Sequence, residues 1–241
     1  MKKSSLSNVS RGIAIVILVF GCLAFSSYNA GDSVSSEPIK VTLSGTISHT
    51  NYKSGQSGKV TFNRFPASVE EFKEVREKIG GEPHGAIALQ LMAYEMYRRD
   101  RTIGEECIRL NNTTTNIQQP LRRLNELFND NFPDYARPYQ IAAFLKGASP
   151  KNGYNPTKPY TIEIRVNPAI KYQESSIYQT NVLYLQVFTQ GRKSGFVGAS
   201  VLKTYKPNEP SEGKYFIVSS CGDFYFQAEP VSFTAPFKGL D

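Results

Sequence analysis

The stretch FLKGASPKNGYNPTKPY, residues 144–160, divides this chain into halves of different periodicity. Before it, apolar residues recur mostly at helical spacing; after it, they alternate as in strands. Gly147, Pro150, Gly153 and Pro156 follow one another at short intervals ahead of Pro159. Proline fixes φ and glycine opens conformations closed to other residues. The stretch therefore predicts an ordered hinge joining two halves of one fold, and not a catalytic motif. Pro156 and Pro159 also press Asn155 and Lys158 toward extended backbone. That predicts Tyr154 and Tyr160 with their rings turned against the helical layer.

The strand half, 160–233, reads as a meander. Residues 160–166 alternate Tyr160, Ile162, Ile164 and Val166 with polar neighbours. Residues 181–189 are apolar on both faces, which suits a central strand. A loop is expected over 167–176, a hairpin turn over 191–195 and a longer turn over 206–213. Residues 196–205, 214–219 and 223–228 complete a sheet of four to six strands, each beside its sequence neighbour.

The helical half spans 66–146. Ser68 followed by Glu71 is a capping box, and Gly80-Gly81 ends the helix it begins. Residues 83–100, with Pro83 at the start, form a helix apolar around most of its circumference, so it should be enclosed on several sides. Its narrow polar stripe, His84, Glu95, Arg98 and Arg99, reads as the solvated side. Shorter helices follow at 102–110, 118–132 and 138–145. Ahead of all of them, 39–48 and 59–65 read as an edge hairpin. Residues 38–241 thus predict one α+β domain, with three to five helices packed on one face of a mostly antiparallel sheet. A cystatin-like form, a curved sheet around a helix, is one specific version of it by analogy of fold.

The segment GASPKNGYNPTKPYTI, residues 147–162, resembles the centre of a family of uncharacterised bacterial domains of unknown function, seen mostly in exported proteins. The likeness extends to Phe65-Pro66-Ala67-Ser68-Val69-Glu70-Glu71-Phe72 and to the apolar helix over 85–97, and covers roughly residues 62–233. It rests on turn and packing residues. It therefore implies a shared fold and brings no catalytic residue.

Location is the clearest functional signal. Residues 1–26 have a basic start, with Lys2, Lys3 and Arg11, and then an apolar core over 12–25, the layout of an export signal. Val19-Phe20-Gly21-Cys22 is similar to a bacterial lipobox, which makes Cys22 the lipidation candidate; Phe20 departs from that pattern. The other route is cleavage after the small residues Ala24 and Ser26. Residues 27–37 are polar and aperiodic, as a flexible tether would be. Without the three leader cations, the net charge of +7 falls to +4, too mild for a nucleic-acid binder. The partner expected is an unknown envelope or extracellular component, with the membrane reached through the N-terminus if Cys22 is lipidated.

No phosphate loop, HExxH, CxxC or G-x-S-x-G pattern is present. No catalytic, metal-binding or cofactor-binding residue is therefore assigned. His49 and His84 are the two histidines, and His84 and Glu95 lie three helical turns apart, too far to touch. Glu163, Glu174 and Glu229 are the acids a paired-carboxylate hydrolase would draw on, but no spacing joins them. Asn111 and Asn112 each begin a glycosylation acceptor triplet, discounted for a bacterial-type leader. Cys107 and Cys221 can bridge in an oxidising compartment or stay buried thiols. Tyr184, Tyr205, Tyr215 and Tyr225 are the contact candidates, since rings give large contact area at low entropic cost. The expectation is an exported, non-catalytic binding or envelope-associated domain. The alternatives are a hydrolase of cell-surface glycans or peptides, and a small-ligand binder with a pocket between sheet and helices.

Overall fold

Side-chain alternation sorts residues 160–166 and 183–188 into one dry and one half-wet face. In the computed structural model, β1 is Val41–Thr46, β2 Ser57–Phe62, β3 Tyr160–Val166, β4 Gln173–Ser175, β5 Thr180–Phe188, β6 Phe196–Lys203 and β7 Phe216–Ser220. β3 buries Tyr160, Ile162, Ile164 and Val166 and leaves Thr161, Glu163 and Arg165 half-exposed. The sheet runs β1-β2-β3-β5-β6-β7, with β4 also paired to β5, and every pairing is antiparallel. The structure describes residues 37–113, 117–129, 131, 136–169, 173–175, 180–191, 195–204, 212–225, 228–232 and 234–240. They lie in one compact unit, Ser35–Asp241.

The N-terminal hairpin lies at the sheet edge as expected, with β1 outermost; β2 also pairs along its length with β3, Phe62 opposite Tyr160. Val60 and Phe62 are fully buried, and their burial is what a strand inside the sheet gains. One expectation about strands is corrected: the described residues of 223–228 add no strand. Gly222–Tyr225 is a one-turn 3₁₀ helix. A strand would turn Phe224 and Tyr225 to opposite faces; the turn sends both inward, Phe224 against Phe144 and Tyr225 against Tyr94. Within the expected loop 167–176, β4 forms a short extra pairing.

The helices are α1 (Val69–Ile79), α2 (Pro83–Arg99), α3 (Arg101–Leu110) and α4 (Gln118–Phe128). The Ser68 hydroxyl caps α1 by accepting from the Glu71 amide at 3.1 Å. Glu71 does not return the bond to Ser68. Its carboxylate accepts from the Ala67 amide and pairs with Arg64 at 2.7 Å. Pro83 to Tyr97 are all buried, as an all-round apolar helix requires. α2 packs against β2, β3, β6 and β7, so one helix spans the inner face almost from edge to edge. The far edge, β7, is closed by backbone: the Phe216 amide donates to the Gly80 carbonyl and the Val218 amide to the Asn111 carbonyl. Covering an edge in this way removes a template for unwanted strand pairing.

The hinge is ordered as expected, and it holds more than two parts together. Ser149 and Asn152 cap a 3₁₀ turn, Pro150–Asn152, and Gly153 takes a left-handed φ of 67° to leave it. Tyr154 and Tyr160 are 0% and 2% exposed. Tyr154 stacks on Tyr139 with centroids 4.8 Å apart, and Tyr160 lies beside Phe62 and Phe65, each 5.4 Å away. The C-terminal segment crosses the same turn. The Ser232 amide donates to the Pro150 carbonyl, and the Lys238 amide to Asn155 Oδ1. A Cβ on Gly153 would lie 2.1 Å from the Ala235 carbonyl oxygen. The motif is thus a cradle for the chain's end as well as a joint between helices and sheet.

Candidate functional site

The polar stripe of α2 is solvated only at its C-terminal end, where Arg98 is half-exposed and Arg99 exposed. His84 and Glu95 are 1% and 0% exposed. Glu95 is bracketed by Arg98 at 2.6 Å and Arg99 at 3.0 Å, the next turn of its own helix. The carboxylate hydrogen bond holds the Arg98 guanidinium above its ordinary basicity. Three bonded carboxylate contacts replace the water this side chain gave up. Midway along the helix, Gln90 Oε1 accepts from Asn111 Nδ2 at 2.9 Å and Asn112 Nδ2 at 3.2 Å. The asparagines of both acceptor triplets are therefore folded away: Asn111 is 0% and Asn112 9% exposed.

A second polar knot lies where α2 meets the turn Gly222–Tyr225. The Tyr94 hydroxyl contacts Cys221 Sγ at 3.0 Å and also bonds the Tyr225 hydroxyl. Burial raises the pKa of all three groups and so makes them weaker acids, with the Cys221 thiol pushed up to about 11. Cys107 is pushed up to about 12 by burial, reinforced by the nearby Glu106 charge. Both cysteines are free, buried thiols. A thiol so hard to ionise is a packing group and a poor nucleophile.

The helix-free face of the sheet is different in kind. Register places Arg165 of β3 opposite Gln186 of β5, and Phe188 of β5 opposite Phe196 of β6. The Arg165 guanidinium lies 3.5 Å from the Phe196 ring centroid, and its Nε donates to Gln186 Oε1 at 2.8 Å. Phe188 meets Phe196 edge-to-face at 5.4 Å. Tyr184, on the same face, packs on a small outer cluster of Val182, Leu202 and Ile217. Tyr184, Phe188, Phe196, Arg165 and Gln186 are all half-exposed. Lys59 and Glu163 continue the face as an ion pair at 2.9 Å.

The residues singled out from the sequence are dispersed. Of the four tyrosines, Tyr184 lies on this face and Tyr205 falls outside the described residues. Tyr215 is buried beneath the Arg76 guanidinium, 4.1 Å from its centroid, and its hydroxyl donates to Glu77. Tyr225 is held by Tyr94. Glu163 is paired with Lys59, while Glu229 is exposed and offers its carbonyl to the Tyr154 hydroxyl. Glu174 pairs through its backbone with Asn181. Cys22 and the leader lie outside the described residues. Arg165, Gln186, Phe188 and Phe196 were not picked out from sequence. The available signal was the two-face apolar pattern of 181–189, which placed rings on a face that no helix covers.

Fold and surface together define an α+β domain with one enclosed helix and one open, partly aromatic sheet face. The chain belongs to a family described as a domain of unknown function (DUF6935), which matches residues 64–232. No curated protein and no solved structure matches it. The matched span begins after β2, so β1 and β2 precede it although β2 lies within the sheet.

Proposed function

We propose that this chain is a non-catalytic binding domain, exported to the bacterial envelope and anchored there by lipid on Cys22, and that it works through the outer face of its sheet. The observation that carries the reading is the half-exposed group of Phe188, Phe196 and Tyr184 bordered by Arg165 and Gln186. Rings with one side toward solvent supply contact area, and a planar guanidinium and amide beside them supply directional hydrogen bonds. Strand backbone holds these groups in fixed register, so little order has to be gained on binding. Lys59 and Glu163 give the rim a charge of each sign.

The basic leader followed by an apolar core supports the export half of the proposal. Among the described residues no helix is long and apolar enough to cross a membrane, so attachment would rest on the N-terminus. Mass spectrometry of the mature N-terminus from native cells tests this: an acylated Cys22 is the expected result, a free Ser27 would mean plain secretion, and an intact Met1 on cytoplasmic protein refutes export. The binding half is tested by incubating the exported domain with purified cell-wall, glycan and peptide fractions. Retention without released product, weakened by Arg165→Ala, is expected. Product release that stops in Glu163→Gln or Glu229→Gln would establish the hydrolase alternative instead.

A further inference from the structure

His84 stands in the first turn of α2 with its ring against the backbone of Gly58 in β2. A Cβ added at Gly58 would fall 2.7 Å from the imidazole, so the glycine is what lets strand and ring meet. The ring is 1% exposed, and neither nitrogen has a hydrogen-bond partner among the described residues. Glu82, the residue before the helix, supplies no side-chain cap. A buried imidazole with no acceptor tolerates only its neutral form, and the positive end of a 17-residue helix opposes a second positive charge there.

The charged groups on the surrounding elements do not compensate. Lys59 of β2 is paired with Glu163 on the opposite face of the sheet. Arg76 of α1 lies over Tyr215, and Glu77 pairs with Lys214 at 2.6 Å. Glu82 and His49 are exposed, His49 with its ring edge-on to Phe216. Lys203 of β6 lies over Phe216.

We propose that His84 is an acid-sensitive latch, whose protonation releases the β1–β2 hairpin from α2 and β3. The hairpin is the element whose departure uncovers the ring, because its own Gly58 is the cover. Burial holds the His84 imidazole down to about 4 from an ordinary 6.5. Once the hairpin lifts, the ring meets water and regains ordinary basicity. Between those two pH values the lifted state binds a proton that the closed state refuses. Closure is therefore fully favoured above about pH 6.5 and weakens as pH falls, with no further loss below about 4. Linkage sets the size: the lifted fraction rises by at most about tenfold per pH unit inside that window, and by something on the order of a hundredfold from pH 7.5 to 4.5. Release would bare the edge of β3 together with the apolar residues Ile47, Val60 and Phe62, all of them now buried. His84 lies on the inner side of the sheet, away from the rings of the binding face proposed above, but release would part Lys59 from Glu163 at the rim of that face.

Residue-resolved hydrogen exchange on the full chain at pH 7.5 and 4.5, corrected for the intrinsic rates, tests the latch. The paired amides of β2 and β3 should lose protection about a hundredfold more than those of the β5–β6 pair. His84→Leu should flatten that difference. Gly58→Ala should give the acid pattern already at pH 7.5, by crowding the ring. NMR of the His84 imidazole should place its titration well below that of a free histidine. Equal loss of protection in both strand pairs would mean global acid unfolding and overturn the latch, as would a difference that persists in His84→Leu.

Discussion

The two faces of the strands β3, β5 and β6 alternate residue by residue along the same backbone, yet they do unlike work. On the inner face Ile162, Ile164, Leu183, Leu185 and Val201 are 0 to 2% exposed and meet α2 and its neighbours. On the outer face Arg165, Tyr184, Gln186 and Phe188 keep part of their surface in water. Apart from His84, the polar side chains of α2 on the inner side are tied into structure: Glu95 to two arginines, Gln90 to two asparagines. Outer-face polar groups lie beside rings at the surface. The inner face therefore holds most of the fold, and the outer face, outside the small buried cluster of Val182, Leu202 and Ile217, is freer to differ in chemistry.

The most severe test of that division removes a ring from the inner face. Tyr160 is 2% exposed and touches Phe62, Phe65 and the Lys158 ammonium. Tyr160→Ala should cost about 3 to 5 kcal/mol in urea unfolding, as large aromatic truncations in cores do. A loss below about 1 kcal/mol would show that the hinge is a surface linker and the inner face is not what stabilises the sheet.

Glu95→Gln comes next. The substitution keeps volume and removes the charge that offsets Arg98 and Arg99. Breaking a buried pair costs about 3 to 5 kcal/mol. The lower end is expected, because the arginine side chains remain 22% and 28% exposed and can recruit water. Thermal and urea denaturation should both report it. An unchanged midpoint would return α2's polar stripe to the solvated role read from sequence.

That stripe marks where sequence reasoning ran out. Helix and strand periodicity, the Ser68 cap, Pro83 at the start of α2 and the buried tyrosines of the hinge were all legible, because each is a local signal tied to backbone geometry. His84 and Glu95 were misplaced because periodicity reports which side of a helix is polar, and burial is decided by what packs there. Here β2 and the neighbouring arginines cover it. The Phe224 and Tyr225 turn failed for a related reason: alternating rings suit a strand, but two inward partners, Phe144 and Tyr94, select a 3₁₀ turn. The outer patch depends on register between β3, β5 and β6, and a one-residue slip would scatter it. No single strand carries that information, and the single-residue candidates Tyr215 and Tyr225 lie in segments that hold their rings against Arg76 and Tyr94.

The smallest expected effect on stability sharpens the comparison most. Arg165→Ala removes the guanidinium from the Phe196 ring and the bond to Gln186, both at a half-exposed site. A cation over a ring at such a site contributes about 0.5 to 1 kcal/mol, so unfolding should shift by no more than that. Retention on an envelope fraction should fall much further, since the same group supplies the directional donors of the proposed contact face. Phe196→Ser should behave alike, with a somewhat larger stability loss because half of the ring is buried. The control lies four residues away along β3: Thr161→Ala alters the outer face outside both the Arg165–Phe196 contact and its charged rim, and should leave retention nearly intact. If Arg165→Ala unfolds the domain, the outer face is structural and the division between the faces fails. If it changes neither stability nor retention, the contact surface lies elsewhere on the molecule.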